Sequence, residues 1–133
     1  MLTAIQIGSD SVLLQSRAAI LETAGVRLVN AEGFPQGLER IRDAPFDLAV
    51  LCHSLSRTDR LNLAAAIRRR NPSAAILLVS SGPGAPLAEK DGMDAVLESE
   101  PHRLLQGFRL ALRSLEKKET ENRSEKTVRP EAG

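Results

Sequence analysis

Short apolar runs alternate along this chain with segments in which apolar residues recur every three or four positions. Four runs rich in Val, Ile, Leu and Ala predict buried strands, and a weaker fifth run predicts another. The five predicted strands cover residues 2–7, 26–29, 48–51, 75–79 and 95–97. Apolar runs without polar alternation are typical of strands in a parallel sheet that is covered on both faces.

The first and last helical patterns are the clearest. The first places Leu14, Ala18 and Leu21 on one face and ends near Gly25, a residue type that often terminates a helix. The last follows Pro101 and carries a broad apolar stripe of Leu104, Leu105, Phe108, Ala111, Leu112 and Leu115. Beyond it the chain is almost entirely polar, so we expect a domain over residues 1–118 and a disordered tail over residues 119–133.

The other helical segments are weaker. A second helix is predicted from Pro35 and a third over residues 59–70, which ends before an Asn-Pro pair. Their predicted inward positions are Leu38, Ile41, Leu61, Ala64 and Ala65. Residues 82–86 read Gly-Pro-Gly-Ala-Pro, a composition typical of a loop, which leaves only residues 87–91 for a shortened fourth helix. This alternation predicts an α/β fold, a doubly wound five-stranded parallel sheet with helices on both faces.

Composition narrows the function classes. The chain has 133 residues, with 18 basic and 17 acidic side chains, and this balance gives no general attraction to nucleic acid or to anionic lipid. Cys52 is the single cysteine, so no internal disulfide can form. No signal peptide is recognisable, and no apolar stretch approaches the roughly 18 residues of a membrane span. We therefore expect a cytoplasmic protein with neither a nucleic-acid nor a membrane partner.

Three stretches around the predicted strands are similar to those of a known family. They are APFDLAVL at residues 44–51, RRRNP at residues 68–72 and GMDA at residues 92–95. With the strand–helix order, they make residues 1–118 resemble a receiver domain of the response regulators. The resemblance implies a flavodoxin-like fold and a role in two-component signalling.

The resemblance also implies a phosphorylation site at the carboxyl ends of the strands. Receivers place an acceptor aspartate after the third strand, two acidic Mg²⁺ ligands after the first, a hydroxyl after the fourth and a lysine after the fifth. The corresponding residues here are Cys52, Gly8 and Ser9, Ser80, and Ser99. Only the hydroxyl is retained, and Mg²⁺ requires oxygen ligands. We therefore expect a degenerate pseudo-receiver that is not an enzyme and has no metal and no cofactor.

Two residues near these positions allow more than one interpretation. Asp10 lies one place beyond the acidic pair, where we expect it to cap the first helix. Cys52 precedes His53, but neighbours in a strand point to opposite faces, so a catalytic dyad is not expected. Cys52 is then either a small buried hydrophobe or a redox-sensing thiol, and activation of a thiol requires a positive neighbour.

The leading hypothesis is a stand-alone signalling module that binds another protein, or itself, independently of phosphorylation, in or beside a two-component phosphorelay pathway. A thiol-based redox sensor that uses Cys52 is the alternative. Receivers often bind partners through the fourth helix, fifth strand and fifth helix. The corresponding residues predicted to bind a partner are Leu87, Val96, Arg103, Gln106, Arg109 and Arg113.

Overall fold

The computed structural model describes the backbone of residues 1–80 and 92–128, and the side chains as far as residue 117. The strands are β1 (Thr3–Gly8), β2 (Arg27–Glu32), β3 (Leu48–Cys52), β4 (Ala75–Val79) and β5 (Ala95–Leu97). The helices are α1 (Ser11–Glu22), α2 (Gly33–Asp43), α3 (Arg57–Arg70) and α4 (Pro101–Val128). All five predicted strands are present, within three residues of their predicted ends.

The strands form one parallel sheet in the order β2-β1-β3-β4-β5. The chain runs from β1 to β2 on one side and then crosses back to form β3 on the other side of β1, so the strand order reverses at β1. The crevice between the carboxyl ends of β1 and β3 is therefore the switch point at which open α/β sheets place their ligands. The predicted doubly wound parallel sheet is confirmed.

Two apolar clusters cover the two faces of the sheet. Alternate residues of each strand point to opposite faces, so Ile7 and Leu51 join the cluster beneath α2 and α3. Val50 and Leu77 join the cluster beneath α1 and α4, which also contains Phe108. Phe108 is fully buried, and burial of such a side chain contributes about 1.5–3 kcal/mol.

The rotations of α2 and α3 differ from the prediction. In α2 the buried residues are Gly37 and Ile41, and Leu38 is turned outward. The backbone of Gly37 approaches β1 so closely that an added Cβ would lie 3.0 Å from a side-chain carbon of Ile7. In α3 the buried set is Leu63, Ala64 and Ile67, whereas Leu61 and Ala65 are exposed. The larger pair, Leu63 and Ile67, buries more apolar surface than the predicted face would.

The last helix is longer than the sequence pattern predicted. Its backbone remains helical to Val128, although the apolar stripe ends at Leu115 and we expected disorder from residue 119. Residues 118–128 contain neither Gly nor Pro and are rich in Glu and Lys, which have high helix propensity. The division into a domain of residues 1–118 and a tail stays a prediction, and residues 129–133 lie outside the described residues.

The predicted fourth helix falls within residues 81–91, which lie outside the described residues, and so does Leu87. Across the described parts of the chain, no helix is both long enough and apolar enough to span a membrane.

Candidate functional site

The predicted site positions at β1 and β3 meet at the switch point. Gly8 ends β1 and Cys52 ends β3. An added Cβ on Gly8 would lie 3.0 Å from the Cβ of Cys52 and 3.1 Å from its Sγ. The two residues are therefore in close contact, and the absence of a side chain at position 8 leaves room for the sulfur.

The loops that follow these strands are joined directly. The backbone N–H of Ser9 donates to the Oγ of Ser54 at 3.0 Å, and the Oγ of Ser9 donates to the carbonyl oxygen of Ser54 at 2.9 Å. We call this pair of bonds the serine latch. It ties the loop after β1 to the loop after β3, on the two sides of the crevice.

Asp10 caps α1. One of its carboxylate oxygens accepts hydrogen bonds from the backbone N–H groups of Val12 at 3.0 Å and Leu13 at 3.2 Å. These are donors that the first turn of a helix leaves without an intrahelical acceptor. The predicted capping role is confirmed.

The thiol of Cys52 is buried, with 1% of the residue exposed. It faces Gln6, whose side-chain oxygen Oε1 lies 3.9 Å from the Sγ. Burial raises the pKa of the Cys52 thiol, because a thiolate would lose its hydration, while the charge of Arg17 acts in the opposite direction. The first effect is the larger, so Cys52 is a neutral thiol at neutral pH.

Arg17 is the positive neighbour that the sequence analysis did not identify. It lies on α1 and is only 6% exposed, and its Nη1 atom is buried without a hydrogen-bond partner. The spacing contained the signal, because Arg17 is three residues after Leu14 and four before Leu21, on the buried face of the helix. We had assigned only the apolar residues of that face to the interior.

Gln6 is a second buried polar residue that the sequence analysis overlooked. Its Nε2 donates to the Oδ1 of Asn30 on β2 at 2.8 Å and to the carbonyl oxygen of Leu14 on α1 at 3.0 Å. Gln6 therefore connects two strands with α1 directly beside the thiol of Cys52. A polar residue within an otherwise apolar predicted strand was the available signal.

Comparison with known proteins identifies the architecture. No family model and no curated protein matches the sequence. Solved structures do match. A CheY-like receiver domain protein from Methanospirillum hungatei is 23% identical with a TM-score of 0.74, over 89% of this chain and 98% of that one. The response regulator TrrA from Thermotoga maritima, solved in complex with Mg²⁺ and BeF, is 16% identical with a TM-score of 0.72, over 86% and 99%. A two-component response regulator from Clostridium difficile is 20% identical with a TM-score of 0.69, over 88% and 97%.

The chain has the receiver fold. The resemblance to receivers assigns Gly8, Ser9 and Cys52 to the positions of a magnesium site and its acceptor aspartate, and this assignment stays a prediction. Mg²⁺ does not fit these residues, because none of the three offers a carboxylate and Asp10 is engaged by α1. Nor do the described residues contain any cluster of three or more His, Cys, Asp or Glu side chains that could hold a metal ion.

The remaining two predicted positions of the receiver site, Ser80 and Ser99, follow β4 and β5. Ser80 follows β4, is 3% exposed, and its N–H donates to the carbonyl oxygen of Leu97 at 2.9 Å. Ser99 is half-buried in the turn between β5 and α4. The next residue, Glu100, accepts hydrogen bonds from the N–H groups of His102 and Arg103, and these bonds lower the pKa of its carboxyl group. The turn after β5 therefore presents a helix-capping carboxylate and no lysine.

Five of the six predicted partner-binding residues lie in the described part of the chain, and they do not share one surface. Gln106, Arg109 and Arg113 are exposed and line one side of a shallow groove of about 370 Å³ along α4. Arg103 is also exposed, and its Nη1 lies 3.4 Å from a carboxylate oxygen of Glu98. Val96 instead packs on the cluster beneath α2 and α3, on the other face of the sheet. The structure thus brings three of the six predicted residues into one surface.

Leu110 is an apolar member of that groove which the sequence analysis did not select. It is 56% exposed, and Gln106, Arg109 and Arg113 line the same groove. We call Gln106, Arg109, Leu110 and Arg113 the α4 surface. Its position outside the buried stripe of α4 was visible in the sequence, because Leu110 lies two residues from both Phe108 and Leu112.

Proposed function

We propose that this chain is a cytoplasmic pseudo-receiver, a two-component signalling module that binds a protein partner, or a second copy of itself, without being phosphorylated. On this proposal it is not an enzyme. The observation that carries the proposal is a receiver fold in which the acceptor position holds the buried neutral thiol of Cys52. An acyl phosphate requires a carboxylate, and position 52 has none.

The surroundings of Cys52 support the same proposal. The serine latch joins the two loops across the crevice in which a receiver would bind Mg²⁺ and the phosphoryl group. A ligand shifts a conformational equilibrium only through a difference in its affinity for the two states. Without acidic ligands at Gly8 and Ser9, Mg²⁺ and phosphate have no basis for such a difference.

The α4 surface is the binding surface that we propose. An exposed leucine beside two arginines combines apolar area with positive charge, and arginine is enriched at protein interfaces. A partner that fits it presents an apolar side chain flanked by acidic groups. Arg109 and Arg113 lie one helical turn apart, so they can contact the same partner segment.

Charge reversal on α4 tests the proposal. The double variant Arg109→Glu with Arg113→Glu should weaken association with the partner, or self-association, at least tenfold. The matched variant Arg57→Glu with Arg60→Glu changes the same charge on α3. Self-association is measured by sedimentation, and partner binding by titration with the protein that the wild-type chain captures from its native cell. Circular dichroism and thermal melting of each variant report whether the fold is retained.

Loss of association by the α4 variant alone supports the proposed surface. If the α4 variant retains every association and the α3 variant abolishes it, the interface lies on the other side of the domain. A Mg²⁺-dependent, phosphorylation-induced change in either association would contradict the pseudo-receiver itself.

A second function, thiol-based sensing by Cys52, is favoured by one observation, the buried guanidinium of Arg17 beside the sulfur. Blocking the thiol distinguishes the two functions. Partner binding that persists after complete alkylation of Cys52, in a chain that remains folded, supports the binding module. Loss of binding supports the sensor.

A further inference from the structure

The guanidinium of Arg17 is a buried cation without a matching anion. Arg17 is 6% exposed, its Nη1 has no hydrogen-bond partner, and no carboxylate of the described residues forms a salt bridge with it. An unpaired buried charge destabilises the folded state, because the ion loses its hydration and gains no partner. A buried arginine in this state is a site that a negative charge would stabilise.

Arg17 lies one turn after Leu14 on the buried face of α1, and Leu14 and the Cys52 sulfur border the same space beside Gly8. The sulfur of Cys52 is therefore a group close to Arg17 that chemistry can convert to an anion. The charge of Arg17 already favours the ionised form of that sulfur, although burial outweighs it. A cysteine sulfinic acid is a far stronger acid than a thiol and carries a full charge on two oxygens at neutral pH. Such a group resembles a carboxylate in charge and in its capacity to accept hydrogen bonds from a guanidinium.

We propose that Cys52 is a site of oxidation by hydrogen peroxide and that Arg17 holds the resulting sulfinate. This inference concerns Cys52 alone and does not depend on the α4 surface. It goes beyond the proposed binding function and deepens the second function, thiol-based sensing by Cys52, because it names the oxidant, the oxidised species and the residue that holds it.

The chemistry proceeds in two balanced steps. The Cys52 sulfur attacks one oxygen of hydrogen peroxide, an S–O bond forms and the O–O bond breaks. Sulfur loses two electrons, and the other peroxide oxygen leaves as water with the thiol proton, which gives a sulfenic acid. A second peroxide molecule adds a second oxygen in the same way and releases a second water. The sulfinic acid then loses its proton, and its oxygens accept hydrogen bonds from Arg17.

The position of Cys52 determines how fast the thiol is oxidised and where the resulting negative charge lies. The sulfur is buried at the end of β3, so the folded chain should react slowly, through local opening near the serine latch. Position 8 has no side chain beside the sulfur, and the Cδ2 of Leu14 borders the same space, 3.2 Å from the position that a Cβ on Gly8 would occupy. Once formed, the sulfinate places a negative charge at the site where a receiver has its aspartate.

Mass spectrometry of the full-length chain after peroxide treatment tests the proposal. Trypsin cleavage after Arg42 and Arg57 releases residues 43–57, which contain Cys52 and no methionine. A gain of two oxygens on this peptide therefore reports the sulfinate without interference from Met1 or Met93. We expect complete conversion in the folded wild-type chain, more slowly than in urea, with a melting temperature within about 2 °C of the reduced chain, since the new charge is paired.

The variant Arg17→Met, which keeps a long side chain but removes the charge, should behave differently. Oxidation of Cys52 in this variant should lower its melting temperature by at least 5 °C, because the sulfinate has no cation. Arg17→Lys should behave like the wild type. Exposed Arg40 gives the control variant Arg40→Met, in which oxidation should leave melting unchanged.

Two results would overturn the proposal. One is a folded wild-type chain that never gains two oxygens on residues 43–57 under conditions that oxidise the urea-unfolded chain. The other is an equal change in melting temperature on oxidation of the wild type and of Arg17→Met. If Arg17→Met does not fold, the wild type and Arg17→Lys decide the matter, because a sulfinate that unfolds both of them is not held by a cation at position 17.

Discussion

Gly8 and Cys52 are packed against each other so closely that a methyl group on Gly8 would approach the sulfur to 3.1 Å and the Cβ of Cys52 to 3.0 Å. Contacts of 3.0–3.4 Å are tighter than nine in ten real Cβ contacts, so a side chain at position 8 would require its neighbours to give by a few tenths of an ångström. These are two of the positions at which a phosphorylated receiver carries acidic groups. The two positions are thus coupled, because a substitution at one of them alters the packing of the other.

Gly8→Ala should therefore destabilise the fold. We expect a loss of about 1–3 kcal/mol, the usual cost of inserting a methyl group into a packed interior, measured by equilibrium urea unfolding. In a Cys52→Ala background the same change should cost less, because the sulfur has been removed. Equal costs in the two backgrounds would show that the contact with the sulfur is not the cause.

Phosphoryl donors should not label this chain. We expect no base-labile phosphoryl adduct after incubation with acetyl phosphate or phosphoramidate and Mg²⁺, since Gly8, Ser9 and Cys52 supply no carboxylate. Cys52→Asp alone should also remain unlabelled, because the metal ligands are absent and the new carboxylate would lie beside the guanidinium of Arg17. A receiver that accepts phosphate under the same conditions is the positive control. A Mg²⁺-dependent adduct on the wild-type chain would refute the assignment.

Because the thiol is buried, the free energy of unfolding should decrease at alkaline pH. Burial raises the pKa of Cys52 in the folded chain above the value of about 8.5 that is usual in an unfolded chain. The unfolded state therefore loses its proton first, and the stability that the neutral thiol contributes is complete below about pH 8.5 and lost as pH rises towards the folded pKa. The free energy of unfolding of wild type relative to Cys52→Ala should fall between pH 8 and pH 10 in urea titrations. A constant difference across that range would mean that the thiol titrates as an exposed group.

Deletion of residues 119–133 should leave the melting temperature within about 2 °C, because a polar segment contributes little packing. Leu115 is the last buried residue of α4 among those with described side chains, and Glu116 and Lys117 are exposed. Leu112→Ser is a useful comparison, since it removes a buried side chain from the same helix and should lower the melting temperature clearly. A large drop on deletion would show that the end of α4 packs on the domain.

The fold and the proximity of Gly8 and Cys52 could be predicted, because both depend on patterns that burial imposes. The five apolar runs correspond to the five strands. Parallel pairing places Gly8 and Cys52 together at the carboxyl ends of β1 and β3. The rotation of α2 could not be predicted, because it depends on the close approach of Gly37 to β1. Arg17 was overlooked because charged residues are rarely buried, even when helical spacing places them on the inner face. The serine latch depends on the conformations of two loops, which local patterns do not determine.

The serine latch also bears on how such a chain can change over generations. Phosphoryl transfer at this crevice needs carboxylates at positions 8, 9 and 52 together. Replacement of Ser9 would break the hydrogen bond from its hydroxyl to Ser54, and replacement of Gly8 would crowd Cys52. Replacement of Cys52 by Asp would set the new carboxylate beside Arg17, which would engage it as an ion pair. None of these single steps confers catalysis, so selection for activity has no intermediate to favour. On the proposed pseudo-receiver function, the two serines therefore help to make phosphorylation a property that single mutations do not restore.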